Sequence, residues 1–218
     1  MRWYRARMLG GWTDPGRVEE YLSREIPYRD IAERLLLDAL PQGVERVLDL
    51  GTGDGRLLAL VRSRYPDARG VGIDSSPPML ARAAERFGAD TTIEVALGDL
   101  CEPLNVTGMF DAVVSGLAIH HLADQRKRAL FGEVYGLLRP GGVFANLDLV
   151  ASLTAEQHER FRRAIGREDD DPADCLADLC AQLAWLRDTR FQAVDCSFKW
   201  MELALILAVR PGQEDSAG

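Results

Sequence analysis

VLDLGTGDG, residues 47–55, decides the architecture. An apolar stretch short enough for a buried strand runs into a glycine-rich turn, and the pattern from residue 54 to 64 is helical. Gly51 and Gly53 give the turn backbone conformations closed to other residues and let a ligand approach closely. Outward from this unit the same alternation repeats. Further strands are predicted at 70–74, 91–97, 110–115 and 143–150, with the first strand at 46–50 and helices at 77–87 and 124–138 between them. Strands alternating with crossover helices describe a mostly parallel sheet with helices on both faces. Asp124 is the expected cap of the last of these helices, and Pro140-Gly141-Gly142 stops it.

Two flanks depart from this alternation. Residues 14–40 read as two helices broken near Pro27. After Ala151 come a helix to about 167, an acidic stretch from Glu168 to Asp174, and a helix ending near 188. The acidic stretch is expected to be a solvated loop without chemistry. Two nearly contiguous strands, 191–199 and 201–210, close the chain as an antiparallel hairpin.

Composition narrows the function. The 218 residues carry a net charge of −8 and 47% hydrophobic residues, which suits one globular α/β domain and argues against a general nucleic-acid binder. No uninterrupted apolar window is long enough to span a bilayer, and the start, with Arg2, Arg5 and Arg7, lacks the apolar core of a secretory signal. The expectation is a soluble cytoplasmic protein with no membrane partner. Cys101, Cys175, Cys180 and Cys196 form no CxxC pair, so neither a disulfide framework nor a metal site is expected.

The charges around the turn sharpen its chemistry. Asp49 lies just inside it and Asp54 just beyond, where a dinucleotide's pyrophosphate would otherwise sit. Two carboxylates there disfavour phosphate and suit a ligand carrying an ammonium group. Asp74 ends the next strand at a spacing that lets it accept both hydroxyls of a ribose, although an acid there also suits a helix cap. Asp99, ending the third strand region, is positioned to accept from an exocyclic amine, with Leu100 over the base and Met79 either on its other face or in the core.

Taken in order, these residues resemble the class I S-adenosylmethionine-dependent methyltransferases of small-molecule type. The likeness covers residues 46–150 and rests on the glycine turn, Asp74, Gly98-Asp99, FDAVVSGLAIHHL at 110–122 and LLRPGG at 137–142. It implies a Rossmann-like seven-stranded sheet of order 3-2-1-4-5-7-6 with the last strand antiparallel. S-adenosyl-L-methionine is the implied cofactor. Asp49, Gly51, Thr52 and Gly53 would line its methionine moiety with Asp54 nearby, Asp74 and Ser75 would hold the ribose, Asp99, Leu100 and Met79 the adenine, and Ser115 with Gly116 the floor beneath the sulfonium.

Ser115-Gly116-Leu117-Ala118 stands where amino methyltransferases of nucleic acids carry an Asn/Asp-Pro-Pro-aromatic tetrad, and no Pro-Cys pair is present, so a small-molecule acceptor is expected. His120 and His121 either cap the loop or supply a base, in which case His120 is the choice. The one-domain division expected is a helical lid at 1–41, a cofactor-binding core at 42–150, a helical insertion at 151–189 and closing strands at 190–210. Trp3, Tyr4, Trp12, Tyr21 and Tyr28 cluster in that lid, with Tyr28 assigned to the cofactor. The alternatives are an enzyme resembling carboxy-S-adenosylmethionine synthase, with Arg24 or Arg29 as a clamp, and a catalytically idle cofactor-binding partner protein. A nicotinamide-dependent oxidoreductase is disfavoured by Asp49 and Asp54. The acceptor and the oligomeric state are not legible in the residues.

Overall fold

The computed structural model describes residues 12–212, so Trp3 and Tyr4 lie outside the described residues. Seven strands form one sheet: β1 (Arg46–Leu50), β2 (Arg69–Asp74), β3 (Ile93–Leu97), β4 (Phe110–Gly116), β5 (Leu138–Leu149), β6 (Gln192–Trp200) and β7 (Leu203–Val209). Their order is β3-β2-β1-β4-β5-β7-β6, as the resemblance implied. The first five are parallel, while β7 runs antiparallel between β5 and β6.

The helices are α1 (Pro15–Ser23), α2 (Arg29–Ala39), α3 (Arg56–Arg64), α4 (Pro77–Phe87), α5 (Asp124–Leu137), α6 (Ala155–Ala164) and α7 (Leu179–Asp188). Central strands of a covered parallel sheet must be apolar on both faces, and Val47, Leu48, Ala112 and Val113 are all fully buried. One face packs Leu48, Val113 and Phe144 under α5 and α7, through Leu130, Phe131 and Leu186. The other packs Val47, Ala112 and Ala145 under α2 and α3, through Leu36, Leu57 and Val61.

The N-terminal segment expected to act as one lid is thereby divided. Ala32, Leu36 and Leu40 make α2 part of the sheet's core, whereas α1 buries only Val18 and lies across the top. Asp14 caps α1 by accepting from Gly16 N, with Pro15 preset for the first turn.

Several boundaries move for local reasons. α3 starts at Arg56 because the turn consumes residues through Gly55. Asp124 lies inside α5 and makes no cap, that position being Ala123. β5 begins before Pro140, since its entry bends with a register shift opposite Phe110 and pairs with the chain end through Gly141 N to Arg210 O. Among the described residues, no helix is long and apolar enough to cross a membrane.

Candidate active site

The carboxyl ends of β1, β2 and β4 and the loop after β3 enclose a cavity of about 750 Å³, where ligands bind in open α/β sheets. The glycine turn shapes it in two ways. Gly51 has φ +69°, and a Cβ there would lie 2.2 Å from the Ala118 Cβ. Its bareness therefore serves close packing of the turn on the loop after β4, and the partner that comes close is protein. Gly53 (φ +56°) would meet only Met79 Sδ, at 3.9 Å, so it lines open space. The turn is tied to β2 by Thr52 N to Ile73 O (2.9 Å) and by Gly53 N to Asp74 Oδ2 (2.8 Å). Asp74 Oδ1 accepts from Ser76 N (2.8 Å), at the cap of α4, and Ser75 lines the cavity beside it. Burial pushes the Asp74 carboxyl above its usual range, against these backbone donors. Each oxygen holds one donor and keeps capacity for another.

Asp49 is buried beneath the turn. One oxygen accepts from Thr52 Oγ1 (2.7 Å), and the other, Oδ1, has no partner among the described residues. Burial, opposed by that Thr52 bond and reinforced by the Asp74 and Asp54 charges, raises its pKa to about 7. A buried carboxylate with an orphan oxygen calls for a cationic donor. This is the fit expected of a cofactor's ammonium group. Asp54 also lines the cavity, with its carboxylate ion-paired to Arg86, whose Nε donates to the Asp54 carbonyl (2.8 Å).

The loop after β3 is held by side chains from α5. Arg126 donates to the carbonyls of Leu100 and Glu102, both at 2.7 Å, and pairs with Glu133. Asp99 Oδ1 accepts from Cys101 N (2.8 Å), and Asp99, Leu100 and Met79 all line the cavity. Ser115 does not line it. Its hydroxyl is fully buried, donating to Leu50 O (2.8 Å), and Gly116 alone of the pair reaches the cavity wall. Tyr28 stands at the mouth, 48% exposed, its ring against Trp200 at 5.1 Å. Tyr21 is the deeper aromatic, with its phenol pushed up by burial against the opposing Arg29 charge.

A second cavity of about 500 Å³ adjoins the first, sharing Trp12, Tyr21, Arg24, Ile26, Leu117 and His121. His120 lines only the second; His121 lines both. His120, the base preferred from the sequence, thus faces the second cavity, and His121 stands where the two meet. The far wall is the acidic stretch, which is no free loop. Asp171 accepts from Arg17 at 2.7 and 2.9 Å, and Asp174 from Arg167 at 3.2 Å. Lys127, a buried residue of α5, donates to the carbonyls of Leu122 and Cys175, and Cys175 N donates to His120 O (2.9 Å), clamping this stretch to the histidine turn.

The two imidazoles differ. His120 Nδ1 meets Asp148 Oδ1 at 2.5 Å. Burial depresses the His120 pKa, but the Asp148 and Asp174 carboxylates outweigh it and raise the group overall. Burial and the neighbouring His120 hold His121 below its ordinary value. Trp12 covers His121 with ring centroids 5.7 Å apart. Asp148 carried an overlooked signal: an acid within an otherwise apolar buried strand needs a partner.

A family described as a methyltransferase domain matches residues 47–142. An uncharacterized methyltransferase of Mycobacterium tuberculosis is 40% identical over 116 residues, 53% of this chain, which spans about half (56%) of that relative's length. Carboxy-S-adenosyl-L-methionine synthase of Klebsiella pneumoniae is 27% identical over 234 residues, covering 94% of each chain. Human N-acetylserotonin methyltransferase in complex with S-adenosylmethionine shares the fold, with a TM-score of 0.61 at 20% identity over 83% of this chain and 52% of that one.

Proposed function

We propose that this chain, a member of the class I S-adenosylmethionine-dependent methyltransferase family, transfers a methyl group from S-adenosylmethionine to a small-molecule acceptor and releases S-adenosylhomocysteine. The observation that carries the proposal is the orphan oxygen of buried Asp49 in a cavity that opens onto a second one lined by two imidazoles. Asp49, oriented by Thr52, receives the cofactor's ammonium group. Gly51 shapes the turn, and Gly53 lets the backbone come close. Asp74, with Ser75, accepts from the ribose hydroxyls. Asp99 accepts from the adenine amine, and Leu100 and Met79 cover the base. Gly116 forms the floor, and Tyr28 stands at the mouth. The bound cofactor supplies an electrophilic methyl group on a sulfonium, open to direct displacement.

This chain's own contribution is alignment and exclusion of water, for which α1 closes the top with Trp12 and Tyr21. The His120–His121 pair accepts a proton from the acceptor. His121 stands at the junction, and Asp148 fixes the His120 ring behind it. The acceptor's place is the second cavity.

A carboxy-S-adenosylmethionine synthase activity is the second reading, favoured by the likeness over 94% of both chains. That activity needs a cation for a second carboxylate. Arg24, Arg29, Arg56 and Arg86 line the first cavity, yet each is ion-paired with Glu20, Glu33 or Asp54.

The test joins calorimetry with S-adenosylhomocysteine to a metabolite screen using methyl-labelled cofactor, products read by mass spectrometry. Saturable binding with label in an acceptor is expected. A carboxylated cofactor would favour the second reading, tight binding without turnover an idle partner protein, and no binding would contradict the proposal.

A further inference from the structure

Three side chains at the inner end of the second cavity form a donor set that methyl transfer from a sulfonium does not require. His120, His121 and Asp174 offer ligand atoms that all lie within 4.8 Å of one another. Asp174 Oδ1 is 3.5 Å from His120 Nε2 and 3.3 Å from His121 Nδ1. Imidazolium–carboxylate hydrogen bonds close to about 2.7–2.9 Å, so Asp174 pairs with both rings at long range, more closely with His121. Both separations also match ligands of a shared ion. Ligand atoms about 2.0–2.2 Å from one centre sit about 3.0–3.5 Å apart in octahedral or tetrahedral geometry.

The surroundings hold this arrangement in place. His120 Nδ1 is taken by Asp148 Oδ1 at 2.5 Å, which fixes the ring and leaves Nε2 toward Asp174, as in carboxylate–histidine–metal triads. Lys127 and the Cys175 N–H clamp the Asp174 segment to the histidine turn, and the Ala173 carbonyl lies 3.4 Å from His121 Nδ1. All three donors line the second cavity, so further coordination positions face the space assigned to the acceptor.

We propose that His120, His121 and Asp174 form a binding site for one divalent transition-metal ion, with Asp148 as the residue that positions His120. Two imidazoles and one carboxylate select borderline ions such as zinc, cobalt(II) or iron(II) over magnesium and calcium, which prefer all-oxygen shells. A cation there would present open positions to an acceptor oxygen and lower its pKa, so that its proton passes to solvent, whereas without the ion the imidazoles accept that proton. The placement of its open side rests on the proposed acceptor cavity, but binding itself does not.

The experiment uses the full chain, stripped with chelator, and titrates cobalt(II) and zinc chloride with neither cofactor nor acceptor present. One equivalent of cobalt is expected, with visible d–d absorption and no thiolate charge-transfer band. Asp174→Asn and His121→Gln should each weaken binding by more than about a hundredfold, and Asp148→Asn by about ten- to a hundredfold. His158→Gln, in a separate cluster with Glu202 and Asp170, should change nothing. Circular dichroism and thermal melting establish that each variant is folded. Three results would overturn the site: no saturable binding, a thiolate band, or binding that survives the Asp174 and His121 changes. None of these bears on cofactor binding, which calorimetry reads separately.

Discussion

The two walls of the paired cavities are built by opposite means. On the side proposed for the cofactor, Asp49, Gly53, Asp74 and Asp99 come from short strand-end segments, and backbone hydrogen bonds such as Gly53 N to Asp74 and Cys101 N to Asp99 hold them. On the side proposed for the acceptor, Trp12, His120 and the acidic stretch come from three distant parts of the chain. They are joined by ion pairs such as Arg17–Asp171, 154 residues apart. The first wall is rigid because a parallel sheet fixes its loops, whereas the second depends on side chains that find one another only in the folded state. Substitutions on the first wall should therefore lower cofactor affinity, and those on the second should lower turnover while sparing affinity.

Gly51→Val applies the largest force to the first wall. A Cβ at this left-handed position overlaps Ala118, and a β-branched residue compounds the strain. S-adenosylhomocysteine binding should be lost by calorimetry and thermal stability should fall, because the loop carrying the histidines is displaced with the turn. Near-native affinity in this variant would break the comparison. Gly53→Ala, facing open space, should be milder on stability than Gly51→Val.

Next in size is Asp74→Ala. Two ligand hydrogen bonds to a carboxylate are worth roughly 2–4 kcal/mol, about thirty- to a thousandfold in affinity. The variant also frees Gly53 N and Ser76 N, so denaturant melts should register some lost stability. A folded variant with unchanged affinity would remove Asp74 from the site.

Deleting the residues before Ile26 removes α1 but leaves α2 seated in the core. Cofactor affinity should fall by no more than roughly 1–3 kcal/mol, a few lost contacts, while single-turnover rate with an identified acceptor falls much further. If methyl transfer survives the deletion, α1 is packing alone.

The smallest expected effect is a pH dependence set by Asp49. Burial raises its folded pKa to about 7 from the ordinary carboxylate value of 3.8. Ionising it therefore costs the ligand-free fold stability as pH rises through that interval. A cationic ligand favours the charged form, so below about pH 7 affinity should fall by up to tenfold per unit, with a proton released on binding. Calorimetry in buffers of different ionisation enthalpy checks this, and Asp49→Asn should flatten the slope.

The same contrast explains what the sequence reveals. The strands and the turn were legible because hydrophobic periodicity and glycine chemistry act over a few residues, the strand order came from the family resemblance, and Asp74 was picked out by its place at a strand end. The Asp54 ion pair was not legible because its partner, Arg86, lies 32 residues on. The direction of the Ser115 hydroxyl depends on the Leu50 carbonyl of the neighbouring strand. The acidic stretch looked solvated because neither Arg17 nor the histidine turn is near it in sequence. Local motifs carry the first wall, and only three-dimensional pairing discloses the other.

One paired measurement tests this division most directly: S-adenosylhomocysteine affinity, by calorimetry, of Asp74→Ala and His120→Asn in folded protein. His120 lines only the second cavity, so its variant should bind within about threefold of the unaltered chain, while the Asp74 variant loses at least about thirtyfold. Comparable losses in both variants, or a loss confined to His120→Asn, would contradict the account.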